Sequence, residues 1–438
     1  MRSQALILLF ASLAGAQQPA AVTLEEAVRL ALAHHQDIAK ARAASDALKG
    51  KIREVRAQAL PEINLVSNAM RWRDPSLLNA SGLDKFPEEL RNALVPEGVD
   101  LFDYAITVKQ PLYTQGKVGT ALRLAAIEAE SSLAEIDRAQ QDVGLATVRA
   151  YYDLLWAERY RDLVAETQRQ KKLHAAMART RFQNGVATEV DVLRSEVAVA
   201  NGAPDVLRAE NAIRQARALL NYYIGRPLDQ LTRAVGQFEE KPEDQSLAEL
   251  EKDALRRRPE MQRLRLAERS ADAQVQLANA ESRMRMDFNS SYGMASRLPE
   301  NLVNRKFTRW TVGVTFTFPL FDGFRRSGLM TQAVSNQRSA RLEREKVERQ
   351  IYLAIQQAHD ETTAARETIA AARANVSQAE KVLAMTQNNY KYGAATTLDV
   401  VDAQTAVSVA RTNLLRGLHD FAVARANLRW AAGQTPWE

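Results

Sequence analysis

The chain has 438 residues, with 59 Lys and Arg against 53 Asp and Glu, a formal net charge of +6, and no cysteine. Without cysteine there can be no disulfide framework and no thiolate metal site. The charges of both signs are interspersed, which makes them a solvated surface and excludes a nucleic-acid footprint.

Met1 to Ala16 reads as a signal peptide: Arg2, an apolar run from Ala5 to Ala14, and Ala14-Gly15-Ala16 as an A-x-A cleavage site. No cysteine follows that site, so no N-terminal lipid anchor is expected. Beyond it no apolar run approaches the ~20 residues of a spanning helix. Any crossing of a membrane is therefore left to strands.

Helical spacing of Leu24, Ala27, Val28, Ala31 and Leu32, with Thr23 and Glu26 as a start signal, predicts one helix over 22–59. Pro61 ends it. A strand begins at Ile63, Leu65 and Ser67, and 71–100, with Pro75, Pro87 and Pro96, reads as a long loop. A second strand covers Tyr104 to Tyr113, with Tyr104, Ile106, Val108 and Leu112 on one face. From about Val118 a helical pattern runs without proline to Phe182. Ile136, Val143, Ala150, Ala157 and Val164 form a ladder with the seven-residue repeat of a coiled coil.

At Phe182-Gln183-Asn184-Gly185-Val186-Ala187-Thr188-Glu189-Val190-Asp191 the pattern stops and restarts. Gly185 suits a left-handed helix end, and Thr188 with Asp191 is a T-x-x-D start. A returning helix runs to Tyr222, and Gly202 and Pro204 are expected to bend or break it.

The same tip recurs as Tyr390-Lys391-Tyr392-Gly393-Ala394-Ala395-Thr396-Thr397-Leu398-Asp399. Gly393 lies 393 − 185 = 208 residues after Gly185, and Pro319 lies 319 − 111 = 208 after Pro111. Ile351 stands at the same offset from Val143. Most of the chain thus reads as an internal duplication. A first repeat covers 17–225, with a strand hairpin at 60–113 and a tip at 183–191. A link covers 226–245. A second repeat covers 246–438, with a strand hairpin at 283–321 and a tip at 391–399. It opens with a helix over 247–281. Met284, Met286, Phe288, Tyr292 and Met294 mark one strand, and Trp310, Val312, Val314, Phe316, Phe318 and Leu320 the cleanest one.

The fold class is mainly α with a small β part, built from long coiled-coil hairpins and four strands per chain. Four strands cannot close a membrane barrel, and lipid does not tolerate an open edge. Three chains give 3 × 4 = 12 strands and close one. The aromatic residues then fit two interfacial belts, with Trp72, Tyr104 and Trp310 at one end and Tyr113, Phe318 and Phe321 at the other. A half-buried soluble sheet is the competing reading of the same alternation.

The signal peptide, the duplication, the strand ends Gln110-Pro111-Leu112-Tyr113 and Phe318-Pro319-Leu320-Phe321, and the two tips resemble TolC-type outer membrane efflux proteins over essentially the whole mature chain. The resemblance implies a homotrimer with a 12-stranded outer membrane barrel and a periplasmic α-helical tunnel. It implies a passive exit duct of a tripartite efflux or type I secretion system. Its partners would be outer membrane lipid, a periplasmic adaptor (membrane fusion protein) and an inner-membrane RND or ABC transporter. It also implies an acidic ring at the entrance, matching Asp399 and Asp402. A latch between the hairpins matches Asp191 and Tyr390, although the family's latch arginine is Ala395 here. The turns at Gly185, Val186, Thr188, Gly393, Ala394 and Thr396 would meet the adaptor.

Plainer roles compete at several positions. Asp399 can cap its helix as readily as line a pore. Asp402 lies a turn further in, where it cannot cap, and its counterpart in the first tip is Arg194. Tyr390 can simply pack at a helix end. The five histidines lack H-x-x-x-H spacing, and there is no nucleophile elbow or phosphate loop, so neither metal, cofactor nor enzyme chemistry is expected. An exported soluble coiled-coil scaffold or adaptor is the alternative function.

Overall fold

The structure is a computed structural model that describes residues 20–73, 85–90, 98–241, 245–281 and 283–437. The expected signal peptide, Pro75 and Pro96 lie outside these residues. The elements in order are β1 (Ala20–Val22), α1 (Leu24–His34), α2 (Gln36–Ala57), β2 (Glu62–Trp72) and β3 (Val99–Tyr113). There follow α3 (Lys117–Gln183), α4 (Glu189–Ile224), β4 (Thr232–Ala234), α5 (Leu247–Arg257) and α6 (Pro259–Glu281). The chain ends with β5 (Arg285–Ser296), two short 3₁₀ turns, β6 (Thr308–Thr317), α7 (Arg325–Lys391) and α8 (Thr397–Ala431). Helices α3 and α7 each have 67 residues and start 325 − 117 = 208 positions apart. Such helices span about 100 Å at 1.5 Å per residue.

The chain divides into two compact units. One comprises 1–43, 134–263 and 345–438, and the other 44–133 and 264–344. In the first unit a core of Val22, Ala27, Leu154, Leu155, Leu220 and Ile224 is almost fully buried. Each large aliphatic side chain there stabilises the fold by roughly 1.5–3 kcal/mol relative to exposure. Of the heptad positions, Val143, Ala150 and Ala157 are buried and Ile136 and Val164 half-buried, and Ile351, Ala358 and Ala372, spaced by sevens on α7, are buried too. Their small size lets neighbouring helices approach closely. The strands β1 and β4 pair in parallel, Ala20 with Thr232 and Val22 with Ala234.

Several expectations are corrected. The first helix is two, because His35 turns extended after His34, its N–H still bonding the Ala31 carbonyl. Its buried ring sits 5.6 Å from both Tyr222 and Tyr223, and its Nδ1 accepts from the Asp37 N–H at 3.2 Å. The helix expected over 247–281 also breaks, at Arg258, since the residue before a proline avoids the helical region. Helix α4 continues unbroken through Gly202 and Pro204. A proline there costs roughly 3 kcal/mol in an isolated helix, but the turn is supported from α3. Gln168 Nε2 donates to the Val199 carbonyl at 2.9 Å, and no side chain at Gly202 stands in its way. The expected link contains β4, and β6 stops at Thr317, short of Phe318 and Leu320.

The second unit is built on a four-stranded antiparallel sheet in the order β2-β3-β5-β6. Cross-strand partners share a face, so the register sorts the residues. Leu65, Ile106, Tyr292 and Trp310 form one row, and Ile63, Val108, Ser290 and Val312 the next. The opposite face holds rows such as Asn64, Thr107, Ser291 and Thr311. Its side chains bond one another: Asn68 Nδ2 donates to Asp103 Oδ2 at 3.1 Å, and Ser291 and Thr311 hydroxyls lie 2.8 Å apart. The sheet is apolar on one side and polar on the other.

Candidate functional site

Each tip is closed by local chemistry. At the first, Gly185 takes φ 74°, its N–H bonds the Phe182 carbonyl, and the Val186 N–H bonds the Arg181 carbonyl at 2.9 Å. At the second, Gly393 takes φ 78°, and the Ala394 N–H bonds the Asn389 carbonyl at 2.9 Å. Both are Schellman ends, which require the left-handed residue that glycine adopts without strain. Both are followed by a capping box. The Asp191 N–H donates to Thr188 Oγ1 at 3.3 Å, and Asp191 Oδ2 accepts from the Thr188 N–H at 3.1 Å. Thr396 and Asp399 repeat the arrangement at 3.2 and 2.7 Å.

Asp399 therefore caps α8. The Thr396 backbone N–H, and then its hydroxyl, hold the Asp399 carboxyl below the usual carboxylate range. Asp402 is exposed and makes no cap. Val186, Gly185, Gly393 and Ala394 are exposed at the turns.

Asp191 and Tyr390 make no direct hydrogen bond within the chain. They meet at Thr397, which is 2% exposed. The Tyr390 hydroxyl lies 3.3 Å from Thr397 Oγ1. The Asp191 carboxyl is held low first by the Thr188 hydroxyl and N–H, then by Thr397 and Arg194. Tyr390 is itself buried. The His174 ring centroid lies 5.4 Å from that of Tyr390, and burial pushes the His174 pKa down, which favours the neutral ring. Thr397, Arg181 and His174 were not singled out by sequence reasoning. Arg181 carried the one available signal, a cation in the last turn of a helix, but that signal points to its own helix end.

Further along α8, His419 Nε2 lies 2.8 Å from Asp153 of α3, and its Nδ1 lies 3.0 Å from Asp420. Burial pushes the His419 pKa down, but the two carboxylates outweigh it and the net shift is upward. The stability this gives is complete below the ordinary histidine value of ~6.5 and is lost as pH rises through the raised value. The melting-temperature difference between wild type and His419→Gln should therefore shrink by ~2 °C on going from acid to alkaline pH. A difference that stays flat with pH would leave the pairing without charge.

The aromatic residues in and just beyond the sheet are largely exposed: Trp72 49%, Tyr113 44%, Trp310 67%, Phe318 67% and Phe321 78%. Tyr104 is half-buried, and its hydroxyl donates to the Leu302 carbonyl at 3.1 Å. Tyr104 and Trp310 share the apolar face. A bulge between Pro111 and Tyr113 moves Tyr113 onto the same face, opposite Met286 and Phe316. Trp72 does not join them. It falls in register with Val99, on the face of Asn64 and Asn68, whereas Tyr292 lies beside Trp310 on the apolar face. Among the described residues no helix is long and apolar enough to cross a membrane.

Long paired helices closed by tight tips, joined in one chain to a two-faced sheet with open edges, define the class of outer membrane channels. The sequence profile of the outer membrane efflux protein family matches residues 27–226 and 250–434, and the chain belongs to that family. The chain is 22% identical to the outer membrane protein TolC of Vibrio cholerae, over 89% of this chain and 85% of that protein. It is also 22% identical to the alkaline protease secretion protein AprF of Pseudomonas aeruginosa, over 86% of this chain and 77% of that one. The crystal structure of the Campylobacter jejuni CmeC outer membrane channel superposes with a TM-score of 0.81 at 16% identity, covering 94% of this chain and 85% of that one. The protein is thus an outer membrane efflux protein.

Proposed function

We propose that three copies of the chain form one closed channel: a 12-stranded barrel in the outer membrane, continued by a tunnel of the long helices through the periplasm. The observation that carries this reading is the sheet. Every residue of β2 and all but the first of β6 are exposed, including Leu65 at 72% and Phe316 at 66%. These are the two edge strands. An apolar face with two unpaired edges is unstable in water and forbidden in lipid unless the edges close. Joining β2 of one copy to β6 of the next pairs every edge, turns the apolar rows to lipid and leaves the polar rows around the lumen.

The hairpin tips then form the far end. Asp399 and Asp402, three copies each, ring the entrance, and Asp191 and Tyr390 act on its closure through Thr397. The turns at Gly185 to Thr188 and Gly393 to Thr396 receive a periplasmic adaptor, and an inner-membrane transporter of RND or ABC type delivers the substrate. The tips are supported in this role by their rigid closure and by exposed residues between two stiff helices. The protein supplies a conduit, with no bond made or broken.

The test is the particle size of protein extracted from outer membranes in mild detergent, measured by light scattering or native mass. Three chains per particle are expected. A soluble protein absent from the membrane fraction would favour the exported scaffold instead.

A further inference from the structure

The last turn of α3 reaches across to the last turn of α7 through a single side chain. Arg181 Nη1 donates to the Tyr390 carbonyl at 3.0 Å. Its guanidinium carbon also lies 4.5 Å from the centroid of the Tyr390 ring. One residue thus holds both the backbone and the side chain of Tyr390, across 209 positions of sequence.

The chemistry of the contact is specific. The final carbonyls of a helix lack intrahelical partners and carry the negative end of its dipole. The Tyr390 carbonyl already accepts the Gly393 N–H at 3.2 Å, and the arginine occupies its second lone pair. A cation over an aromatic face gains further from the ring quadrupole, more so when water is excluded. Tyr390 is only 7% exposed. Arg181 forms no ion pair with any described carboxylate, and its Nε is buried without a partner. Its neighbour Arg179, by contrast, is occupied within its own hairpin by Glu196. The charge of Arg181 is therefore committed to the second hairpin.

The rest of the cluster turns this contact into a support for the entrance. The Tyr390 hydroxyl reaches Thr397 at the start of α8. Thr397 in turn assists Asp191 at the start of α4. His174 packs against the same tyrosine ring, 5.4 Å between centroids. All four helices that meet at the two tips contribute one group to the chain Arg181, Tyr390, Thr397, Asp191.

We propose that Arg181 is a positioning residue for the channel entrance: by clamping the end of α7 to the end of α3 it holds the two hairpin tips together and sets the resting width of the opening. This rests on the reading that the tips surround the entrance.

The experiment is single-channel recording of the purified, intact protein in planar lipid bilayers, with trimer yield and thermal unfolding measured on the same samples. Arg181→Ala should shift the closed-to-open ratio toward open by about fivefold, the equilibrium equivalent of one cation–π contact that water still reaches. It should leave trimer yield and melting unchanged. Arg181→Lys keeps a donor and a charge but loses the planar stack, and should fall between the two. Arg179→Ala should leave conductance as it is. Should Arg181→Ala fail to assemble, Arg181→Lys and Tyr390→Leu carry the test, because both should open the channel more than wild type. Wild-type conductance in Arg181→Ala, or in Arg181→Lys and Tyr390→Leu together, would overturn the assignment of Arg181 while leaving the channel reading intact. Wild-type protein that forms no pore at all would overturn both.

Discussion

Ala394→Trp is expected to abolish export while leaving a folded trimer in the outer membrane. Ala394 is exposed at the second turn, and its N–H is used within the turn to bond the Asn389 carbonyl. A surface substitution of this kind alters stability by about 0.5 kcal/mol or less. The effect falls on docking. A partner that closes over a tight, small-residue turn meets a bulky indole where it expects a methyl group. Complementarity at the centre of an interface fails steeply when one large group is inserted. In cells lacking the wild-type gene, Ala394→Trp should export no more than the deletion does, with normal amounts of trimer in the membrane. Wild-type export with that substitution would show that no partner covers the second turn.

The second large effect is structural. Gly293 lies in β5 between Ala105 of β3 and Arg309 of β6. A Cβ built there would stand 1.9 Å from the Tyr104 carbonyl oxygen and 2.5 Å from the Ala105 Cα. These are backbone atoms of a central strand, so relief requires the strands to move apart. Overpacking of this kind typically costs up to roughly 3 kcal/mol. The β3–β5 pairing joins the two strand hairpins into one sheet, and Gly293→Val should split it. The expected outcome is loss of inserted trimer, with the protein recovered as aggregate or degraded. Gly313→Val on β6, where a Cβ meets nothing within 4 Å, should insert normally. Equal trimer yields from the two variants would remove the close approach at Gly293 as a constraint.

What could be read in the sequence was local. Gly393 with Thr396 and Asp399, and Gly185 with Thr188 and Asp191, announce the tips because a Schellman end and a capping box each need only neighbours in sequence. The long helices and the alternation of Trp310, Val312, Val314 and Phe316 were legible for the same reason. The break at Arg258 was also signalled, by Pro259, but the apolar spacing on both sides ran through it. The break at His35 was not, since it depends on an imidazole buried between Tyr222 and Tyr223. Strands β1 and β4 are three residues each, too short for any periodicity to show. The register that puts Trp72 on the face opposite Trp310, and the bulge that moves Tyr113, are both silent in sequence.

At the candidate site the line falls in the same place. Asp399 as a cap is a three-residue matter. Arg181, Thr397 and His174 depend on which helices lie side by side, and that is set by packing across some 200 residues. Conversely, the sequence pairs Asp191 with Tyr390 only through resemblance, whereas within the chain Thr397 stands between them.

The central claim is that the chain forms a conducting channel with acidic tips at its entrance. It is tested most directly by the ion selectivity of purified wild-type protein and Asp402→Asn in planar bilayers. Asp402 is exposed, uncapped and unpaired, so its charge is available to passing ions. Rings of carboxylates favour cations, and six in one narrow opening would exclude most anions. The account predicts a cation-selective wild-type pore that multivalent cations block. In Asp402→Asn, with three of the six charges removed, cation preference should fall and block should weaken by roughly tenfold. A wild-type protein that inserts but conducts no ions, or an Asp402→Asn pore with unchanged selectivity and block, would contradict it.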